Sequence, residues 1–512
     1  MIISLSVLVI TIIVSGTYAL YKAQLSKNIG VNTTTHGLAY YINYVKGTDI
    51  TAATLNPSTS YEGGASSDIE FWKKDDSYDI YGKIELTVNT IGTNLSNSPA
   101  LKYAVVNNGN VLKEGSLKGT TSGSKVTILK NLYLEQTKQI YTVYVWLDNS
   151  EELGNISNES LSISVDCTAS LQKEPTAADT IISLYTSAAK VTATNNSITY
   201  NTAPSVSLMN DRLGGTTTSL DGGNIRYYGA SPNNYIYFNC SDYSNQTSST
   251  CETWRIIGVF DGKLKLIRGS QIGKYSWDNK NTSTGAENNY GKNDWTTARL
   301  MKLLNPSDYY KVDSNDNNLG QSLYYNSTSG KCYSGQNNAT KDCDFTSTGI
   351  KNEETRNMIA ETTYNLGGWN SNTVYPNLMY EKERGTTVYT GRPTTPWTGK
   401  IALAYPSDYG YAADLNQCKD KTLYDYNNST CTSNNWMKAI ITNNGSNSGW
   451  LLTPNSGNSS YAWAVYSDGS VYNISIAYFA YYGAVPVLSL SSELGIESGG
   501  DGSSSNPYKL SA

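Results

Sequence analysis

The sequence contains few charged residues and a single histidine. Charged residues make up 16% of the 512 residues, and the net charge is −5. Soluble proteins usually carry about a quarter charged residues. This balance offers no basic surface, so no nucleic-acid partner is expected. His36 lies in a polar, Thr-rich stretch and is expected to be a surface residue. With no other histidine, the C-terminal half cannot form a Ser-His-Asp or Cys-His arrangement and lacks the commonest zinc ligand.

Phenylalanine is scarce as well, with 5 Phe against 42 Tyr. Asn, Ser, Thr, Gly and Tyr supply the polarity that charged residues supply in most soluble proteins. Tyr, Thr and Val favour strands, whereas Asn, Gly and Asp favour turns. This composition predicts a β-rich extracellular protein.

Cysteine is spaced in local couples, and none of them has the Cys-x-x-Cys spacing of zinc or redox sites. In an exported chain such couples predict disulfides that close polar loops, although six cysteines allow fifteen connectivities. Cys167 is left over and is expected to be a buried thiol on a strand. The expected nearest-neighbour pairs are Cys240 with Cys251, Cys332 with Cys343, and Cys418 with Cys431.

The first residues are apolar, and small residues precede Ala19. Residues 1–19 therefore have the length of a signal-peptide core with a cleavage site after Ala19. Counted on to Leu20, the segment also reaches the lower limit for a membrane span. Both alternatives, a cleaved signal peptide and a retained membrane anchor, stay open, and both place the protein outside the cytoplasm, exported to the cell surface or the medium.

Alternating residues over 32–169 predict a β-sandwich of the immunoglobulin type. Ile84, Leu86 and Val88 share one face of a strand, and Asn108-Gly109 is a strong hairpin signal. The leader ending Gly16-Thr17-Tyr18-Ala19-Leu20, together with these strands, resembles camelysin-type biofilm-fibre proteins of gram-positive bacteria. A protease activity attributed to some of them is not expected here, because the sequence has no His-Glu-x-x-His.

Residues 170–232 are expected to be a linker with a short helix at 177–190. Residues 233–512 combine short strands, such as 235–238, 254–259 and 264–268, with two amphipathic helices at 293–304 and 353–364. Long loops closed by the cysteine couples connect them. This pattern predicts an α+β domain with a C-type-lectin-like fold, so the expected fold class is mainly β, with a β-sandwich followed by that domain.

Several motifs of the C-terminal domain strengthen this interpretation. They include Trp254-Arg255-Ile256-Ile257, Tyr405-Pro406-Ser407-Asp408-Tyr409-Gly410-Tyr411 and Trp450-Leu451-Leu452-Thr453-Pro454. These motifs resemble a family of exported proteins from gram-positive gut bacteria whose C-terminal module is similar to the formylglycine-generating-enzyme subclass of C-type-lectin folds. Variable proteins diversified by retroelements use this subclass, and their mutable residues occupy the place of 455–482. Val485 departs from the family pattern, which has Arg at that position.

The 455–482 segment is rich in Tyr, Ser and Asn, the residue types that antibody loops use for rigid contact area and adaptable hydrogen bonding. Adenine mutagenesis of Asn codons produces much the same set. The expected ligand-binding residues are Asn455, Ser456, Asn458, Ser460, Tyr461, Tyr466, Tyr472, Asn473, Ser475, Tyr478, Tyr481 and Tyr482.

The leading hypothesis is a surface receptor or adhesin that binds a protein or glycan on another cell, a phage or a host. The alternative is a structural cell-surface or biofilm-matrix protein. An enzyme is not expected, because no active-site cysteine pair matches the C-terminus and the paired carboxylates, such as Glu353-Glu354, suit a solvated surface. No cofactor is expected. The polar run 313–318 has the composition of a calcium loop but lacks the glycine and closing glutamate of an EF-hand. A membrane contact is expected only if residues 1–19 are retained.

Overall fold

The computed structural model describes residues 23–24, 41–51, 55–151, 153–156, 159–211, 223–278, 290–311, 320–332, 341–394, 396–477 and 481–511. The predicted leader, His36, the polar run 313–318 and Tyr478 lie outside these residues. The chain divides into two compact units, Met1–Glu174 and Pro175–Ala512. Strands dominate both units, which confirms the expected mainly β class.

The first unit is built from two sheets. One has the strand order β1-β11-β6-β9, with β3 beside β11, and the other has the order β2-β5-β10-β7-β8, with β4 beside β10. A short helix, α1 (Thr93–Asn97), lies between β6 and β7. The strands are β1 (Ala23–Gln24), β2 (Ile42–Val45), β3 (Ile50–Thr51), β4 (Pro57–Ser58), β5 (Ala65–Lys73), β6 (Tyr81–Ile91), β7 (Leu101–Asn107), β8 (Asn110–Ser116), β9 (Lys125–Tyr133), β10 (Ile140–Asp148) and β11 (Leu161–Ser170).

Side chains from both sheets share one buried core. Alternate residues of β6, among them Leu86, are fully buried with Val143 of β10. Alternation places every second side chain on the core face of a strand, which is why the sequence pattern located these strands. The predicted hairpin turn is also present, with positive φ at Asn108 (49°) and Gly109 (76°). Cys167 is a buried free thiol on β11, as expected.

The second unit has more, shorter strands. They are β12 (Val191–Asn195), β13 (Ile198–Ala203), β14 (Leu208–Asn210), β15 (Ile225–Tyr227), β16 (Tyr235–Phe238), β17 (Glu252–Phe260), β18 (Lys263–Arg268), β19 (Gly273–Lys274), β20 (Ser329–Cys332), β21 (Lys341–Asp344), β22 (Thr362–Tyr364), β23 (Trp397–Gly399), β24 (Ile401–Ala402), β25 (Gly449–Pro454), β26 (Tyr461–Val465), β27 (Val471–Ile476), β28 (Gly483–Ala484), β29 (Val487–Ser489), β30 (Gly495–Ile496) and β31 (Leu510–Ser511).

Two sheets organise this unit. The larger has the order β12-β13-β14-β15-β17-β18-β29-β24, with β16 beside β17. The smaller has the order β19-β28-β25-β26-β27, and its strands β26 and β27 come from the 455–482 segment. The helices are α2 (Ala177–Ser187), α3 (Arg299–Leu304), α4 (Glu353–Met358), α5 (Pro376–Glu383), α6 (Pro406–Tyr411), α7 (Ser429–Ser433) and α8 (Trp436–Ile441).

The interpretation of 170–232 as a linker is corrected by the structure. The second unit begins at Pro175, and β12 to β15 extend its larger sheet. Helix α2 starts with a capping box, in which Thr176 Oγ1 accepts a hydrogen bond from the Asp179 backbone N–H at 3.1 Å. It buries Ile181 and Tyr185 in the core. The segment is rich in Ser, Thr and Asn, so its sequence pattern did not indicate the short strands β12 to β15. Leu208 on β14 is one of their buried residues.

The structure pairs the cysteines as expected, and all seven lie within the described residues. Disulfides join Cys240 to Cys251, Cys332 to Cys343 and Cys418 to Cys431. Each closes a short local loop. Three disulfides in a β-rich chain suit an extracellular environment, because such bonds persist where conditions are oxidising.

Candidate functional site: a tyrosine cluster

The hairpin formed by β26 and β27 sets the frame of the 455–482 segment. Val465 pairs with Val471 across the hairpin, and both are fully buried. Asp468 Oδ1 accepts hydrogen bonds from the Ser470 backbone N–H at 3.0 Å and from Ser470 Oγ at 2.6 Å. Gly469 has φ of 102°, a conformation that side chains disfavour. A strand–turn–strand frame is therefore present within the segment, and it positions the neighbouring tyrosines.

Four of the polar residues predicted to contact a ligand are buried instead: Asn455, Ser460, Asn473 and Ser475, at 1–5% exposure. The Asn455 amide donates to the Asn473 carbonyl at 2.7 Å, and its oxygen accepts from the Gly457 N–H at 2.6 Å. Buried amides satisfied inside the protein stabilise a loop rather than present a contact. This corrects the expectation for these residues, because a ligand cannot reach them in this conformation.

Asn293 organises the loop that follows β25. Its Nδ2 donates to the carbonyls of Asn455, Asn458 and Tyr461 at 2.7–2.9 Å. Its Oδ1 accepts from Arg392 Nε at 3.0 Å. Ser456, Asn458 and Tyr461 are half-buried on this loop. Asn293 was predicted to start a helix, but the helix begins only at Arg299, because the preceding residues are used to hold this loop.

Five tyrosines meet at one side of the hairpin, and we call them the tyrosine cluster: Tyr424, Tyr466, Tyr472, Tyr481 and Tyr482. The ring centroids of Tyr466 and Tyr472 are 4.4 Å apart, and those of Tyr481 and Tyr482 are 5.1 Å apart. Tyr466 also packs against Tyr482 at 5.9 Å. Tyr481 is 53% exposed, whereas Tyr482 is 6% exposed. The cluster thus has a buried base and an exposed upper surface.

Tyr424 is the member that the sequence did not predict. It is 41% exposed, and its ring lies 4.9 Å from that of Tyr472. A 3₁₀ helix (Leu423–Asn427) presents it from the loop closed by Cys418–Cys431. The Leu423 N–H donates to the Val374 carbonyl at 2.8 Å, which anchors the helix. The only sequence signal was a tyrosine inside a disulfide-closed loop.

Two hydroxyl groups of the cluster, those of Tyr472 and Tyr482, have raised pKa values. A hydrogen bond with Tyr424, followed by burial, raises the pKa of Tyr472 to about 12, and the nearby Asp468 carboxylate adds to the effect. Burial is the main cause that raises the pKa of Tyr482. Ser475 Oγ lies 3.5 Å from the hydroxyls of both Tyr466 and Tyr482. The cluster therefore offers aromatic faces and hydroxyls that can donate and accept hydrogen bonds.

A cavity next to Asn293, Arg392 and Pro454 has a volume of about 10 Å³. Pockets for organic ligands measure about 300 Å³ or more. This cavity is too small for such a ligand, whereas the tyrosine cluster has an exposed surface.

A second polar group lies in the interior of the second unit, and we call it the buried ion cluster: Asp211, Arg226, Lys265 and Asp408. Arg226 contacts Asp211 at 2.5 Å and Asp408 at 2.9 Å, and Lys265 Nζ contacts Asp408 Oδ2. Burial alone would raise the pKa of Asp408, but Lys265 and Arg226 outweigh it and lower that pKa to about 2. Burial lowers the pKa of Lys265.

In the described part of the chain, no three His, Cys, Asp or Glu side chains group as a metal site would require. Nor does any of its helices combine the length and apolar character needed to cross a bilayer.

No family model matches the sequence, and no curated protein gives a significant match. Among solved structures, the receptor-binding domain of botulinum neurotoxin mosaic serotype C/D aligns with 52% of this chain and 75% of its own, at 12% identity and a TM-score of 0.15. A single-residue mutant of HCR/D aligns with 51% of this chain and 76% of its own, at 12% identity and a TM-score of 0.14. Superpositions this weak establish neither a shared fold nor a shared function.

Proposed function

We propose that this chain is an exported surface protein whose second unit binds a ligand through the tyrosine cluster. One observation carries the proposal. Tyr466, Tyr472, Tyr481 and Tyr482 from the 455–482 segment meet Tyr424 from a disulfide-closed loop at one surface. Rings from separate parts of the chain form a single patch with a buried base, which is the anatomy of an aromatic hot spot.

The chemistry of the patch favours a macromolecular ligand bound without catalysis. Tyrosine supplies rigid contact area at a low cost in conformational entropy, and its hydroxyl adapts to polar partners. The raised pKa of Tyr472 keeps its hydroxyl uncharged. The ligand class is a protein or a glycan on another cell, a phage or a host surface.

The proposal includes diversification of this surface by a retroelement, in line with the resemblance to variable proteins. Sequencing the locus from many cells of one strain tests it. Substitutions at adenines should concentrate at surface positions such as Tyr466, Tyr472 and Tyr481. The buried amides Asn455 and Asn473 should change little, since they hold the frame. Equal variation in the 455–482 segment and in β17 and β18 would contradict diversification and leave a fixed adhesin.

Binding itself is tested with the full chain on a glycan array and against a displayed peptide library. Tyr424→Ala and Tyr472→Ala should each reduce retained signal at least tenfold, because truncating an aromatic hot spot typically costs about 2 kcal/mol or more. Tyr78→Ala is the matched control, since Tyr78 is 45% exposed on the first unit. Equal binding by all three variants would contradict the assignment of the cluster.

A structural surface protein is the second candidate, favoured by one observation. Strand β8 ends its sheet in the part of the chain that the structure describes, and it carries two consecutive exposed apolar residues, Val111 at 43% and Leu112 at 39%. Such strands can recruit another chain. Concentration-dependent fibres that Leu112→Lys abolishes would favour this candidate, and a monomeric full chain at high concentration would contradict it.

A further inference from the structure

Lys265 and Asp408 meet in the interior of the second unit. Lys265 lies on β18 and Asp408 on helix α6. Lys265 Nζ contacts Asp408 Oδ2, and the two side chains are 6% and 1% exposed. The contact joins a sheet to a helix, and solvent does not separate the two groups.

Both oxygens of the Asp408 carboxylate also accept hydrogen bonds from fixed donors. Arg226 Nη1 donates to Oδ1 at 2.9 Å, and the backbone N–H of Tyr405 donates to Oδ2 at 3.0 Å. A donor fixed on Oδ1, as Arg226 Nη1 is, can stabilise negative charge that develops on that oxygen during attack at the carboxyl carbon.

Aromatic rings line the amine. Lys265 Nζ lies 4.9 Å from the ring centroid of Phe260 and 4.8 Å from that of Tyr405. A desolvated ammonium is disfavoured relative to the neutral amine. The neutral amine is the nucleophilic form, and burial favours it, whereas the two ring faces and the Asp408 carboxylate favour the ammonium.

We propose that Lys265 and Asp408 are joined by an intramolecular amide bond between Nζ and Cγ. Nζ first gives a proton to Oδ2, which leaves a neutral amine beside a carboxylic acid. The amine attacks Cγ, the Cγ–Oδ2 bond breaks, and Oδ2 departs as water with a second proton from Nζ. No atom is oxidised or reduced, and no other reactant is needed.

The charges of the buried ion cluster are consistent with this step. Before it, Lys265 and Arg226 balance Asp408 and Asp211. After it, only Arg226 and Asp211 remain charged, paired at 2.5 Å. Condensation thus removes two charges whose burial is costly and leaves no charge unmatched.

Contact between Lys265 and Asp408 favours the condensation, because two reactants held together react as if at a very high concentration. Arg226 opposes the first proton transfer, from Lys265 Nζ to Asp408 Oδ2. Arg226 favours the ionised form of Asp408, so the condensation is expected to follow folding slowly. The inference does not depend on the proposed ligand-binding function.

Peptide mapping of the purified full chain tests the proposal. After denaturation, reduction and alkylation, trypsin should release residues 264–268 and 401–419 as one branched peptide. Its mass should equal the sum of the two linear peptides less one water, with no cleavage after Lys265. Cleavage after Lys265 together with a linear 401–419 peptide would overturn the proposal and leave an ordinary buried ion pair.

One ion pair and one variant serve as controls. Lys102 and Asp148 are 2.7 Å apart but partly exposed, at 19% and 15%, and should stay unlinked. Lys265→Arg keeps a cation beside Asp408 but removes the amine, so the branched peptide should disappear. A branched peptide at 401–419 that persists in Lys265→Arg would refute the assignment to Lys265.

Discussion

The rings of Tyr424 and Tyr472 lie 4.9 Å apart, centroid to centroid, in an edge-on arrangement. One belongs to the loop closed by Cys418–Cys431 and the other to strand β27. The contact makes the candidate surface composite, because part of it comes from outside the 455–482 segment. Changes in the loop closed by Cys418–Cys431 should therefore alter the environment of the Tyr472 ring.

Removal of the Tyr424 hydroxyl should lower the pKa of Tyr472. A hydrogen bond with Tyr424 is the largest cause that raises this pKa to about 12, so Tyr424→Phe should shift it toward the ordinary tyrosine value of about 10. An NMR titration of tyrosine labelled at the ring carbon bearing the hydroxyl would measure the shift. Tyr78→Phe, on the first unit, should leave the Tyr472 titration unchanged. A Tyr472 pKa that stays near 12 in Tyr424→Phe would show that the hydrogen bond does not form.

Two disulfides close loops of similar length, but only one of these loops carries a residue of the tyrosine cluster. Comparing their removal distinguishes the effect of a disulfide on stability from its effect on the geometry of the cluster. The Cys418–Cys431 and Cys332–Cys343 loops have sequence separations of 13 and 11. Replacing either pair with serines should cost about 3 kcal/mol of unfolding free energy, because loops of this size are similar in chain entropy. Only the loss of Cys418–Cys431 should also lower the Tyr472 pKa, since that loop presents Tyr424. Urea denaturation and the same NMR titration give both readouts. Equal Tyr472 titrations in the two variants would argue against positioning by the disulfide.

Strand positions could be predicted where alternation was strong. Strand β6 runs over Tyr81–Ile91, as the pattern indicated, and Asn108-Gly109 forms the expected turn. Helix lengths were less predictable. The amphipathic pattern at 353–364 gives a helix only to Met358, because Thr362–Tyr364 pairs with β23. Periodicity describes a local preference, and a distant strand can override it.

The sequence predicted which residue types form the candidate site, but not which of them are exposed and which stabilise the loop from inside. It indicated Tyr, Ser and Asn residues of the 455–482 segment equally as ligand contacts. The structure separates them, because Asn455 and Asn473 bond to each other inside the fold while Tyr481 is exposed. Tyr424 could not be found from sequence, since its contact with Tyr472 exists only after the loop folds onto β27.

Asn293→Ala should weaken the frame of the site. Its side-chain Nδ2 donates hydrogen bonds to three carbonyls in and next to the loop after β25, and its Oδ1 accepts one from Arg392. Leaving buried acceptors without a donor costs about 1–3 kcal/mol, so a loss of about 3 kcal/mol in urea denaturation is expected. Asn458→Ala is the matched control. Asn458 is half-buried and its side chain accepts only one local bond in the described structure, from the Ser460 N–H at 2.9 Å. Asn458→Ala should therefore lower the unfolding free energy by less than Asn293→Ala does. A larger decrease in Asn458→Ala would contradict the role given to Asn293.

Glu383 should make the stability of the chain depend on pH in the direction opposite to most acids. Its carboxyl is fully buried, and Ser407 donates its backbone N–H to Oε1 at 2.9 Å. Burial is the main cause that raises its pKa from 4.5 to about 7, although Arg384 and Ser407 oppose the shift. Between these values the folded chain keeps a proton that the unfolded chain has lost. The unfolding free energy therefore falls as pH rises through this window, by about 3 kcal/mol in total.

Ser407 Oγ also donates to Glu383 Oε2. Glu383→Gln should remove the pH dependence, because a glutamine is neutral at every pH and its amide can bond to both the Ser407 N–H and the Ser407 hydroxyl. The variant should match the parent near pH 4.5 and exceed it by about 3 kcal/mol near pH 8.5 in urea denaturation. Glu381→Gln, on the exposed side of the same helix, should change the two values equally. If Glu383→Gln destabilised the chain at both pH values, the carboxyl would have to be ionised in the folded state, held by Arg384 at 3.4 Å.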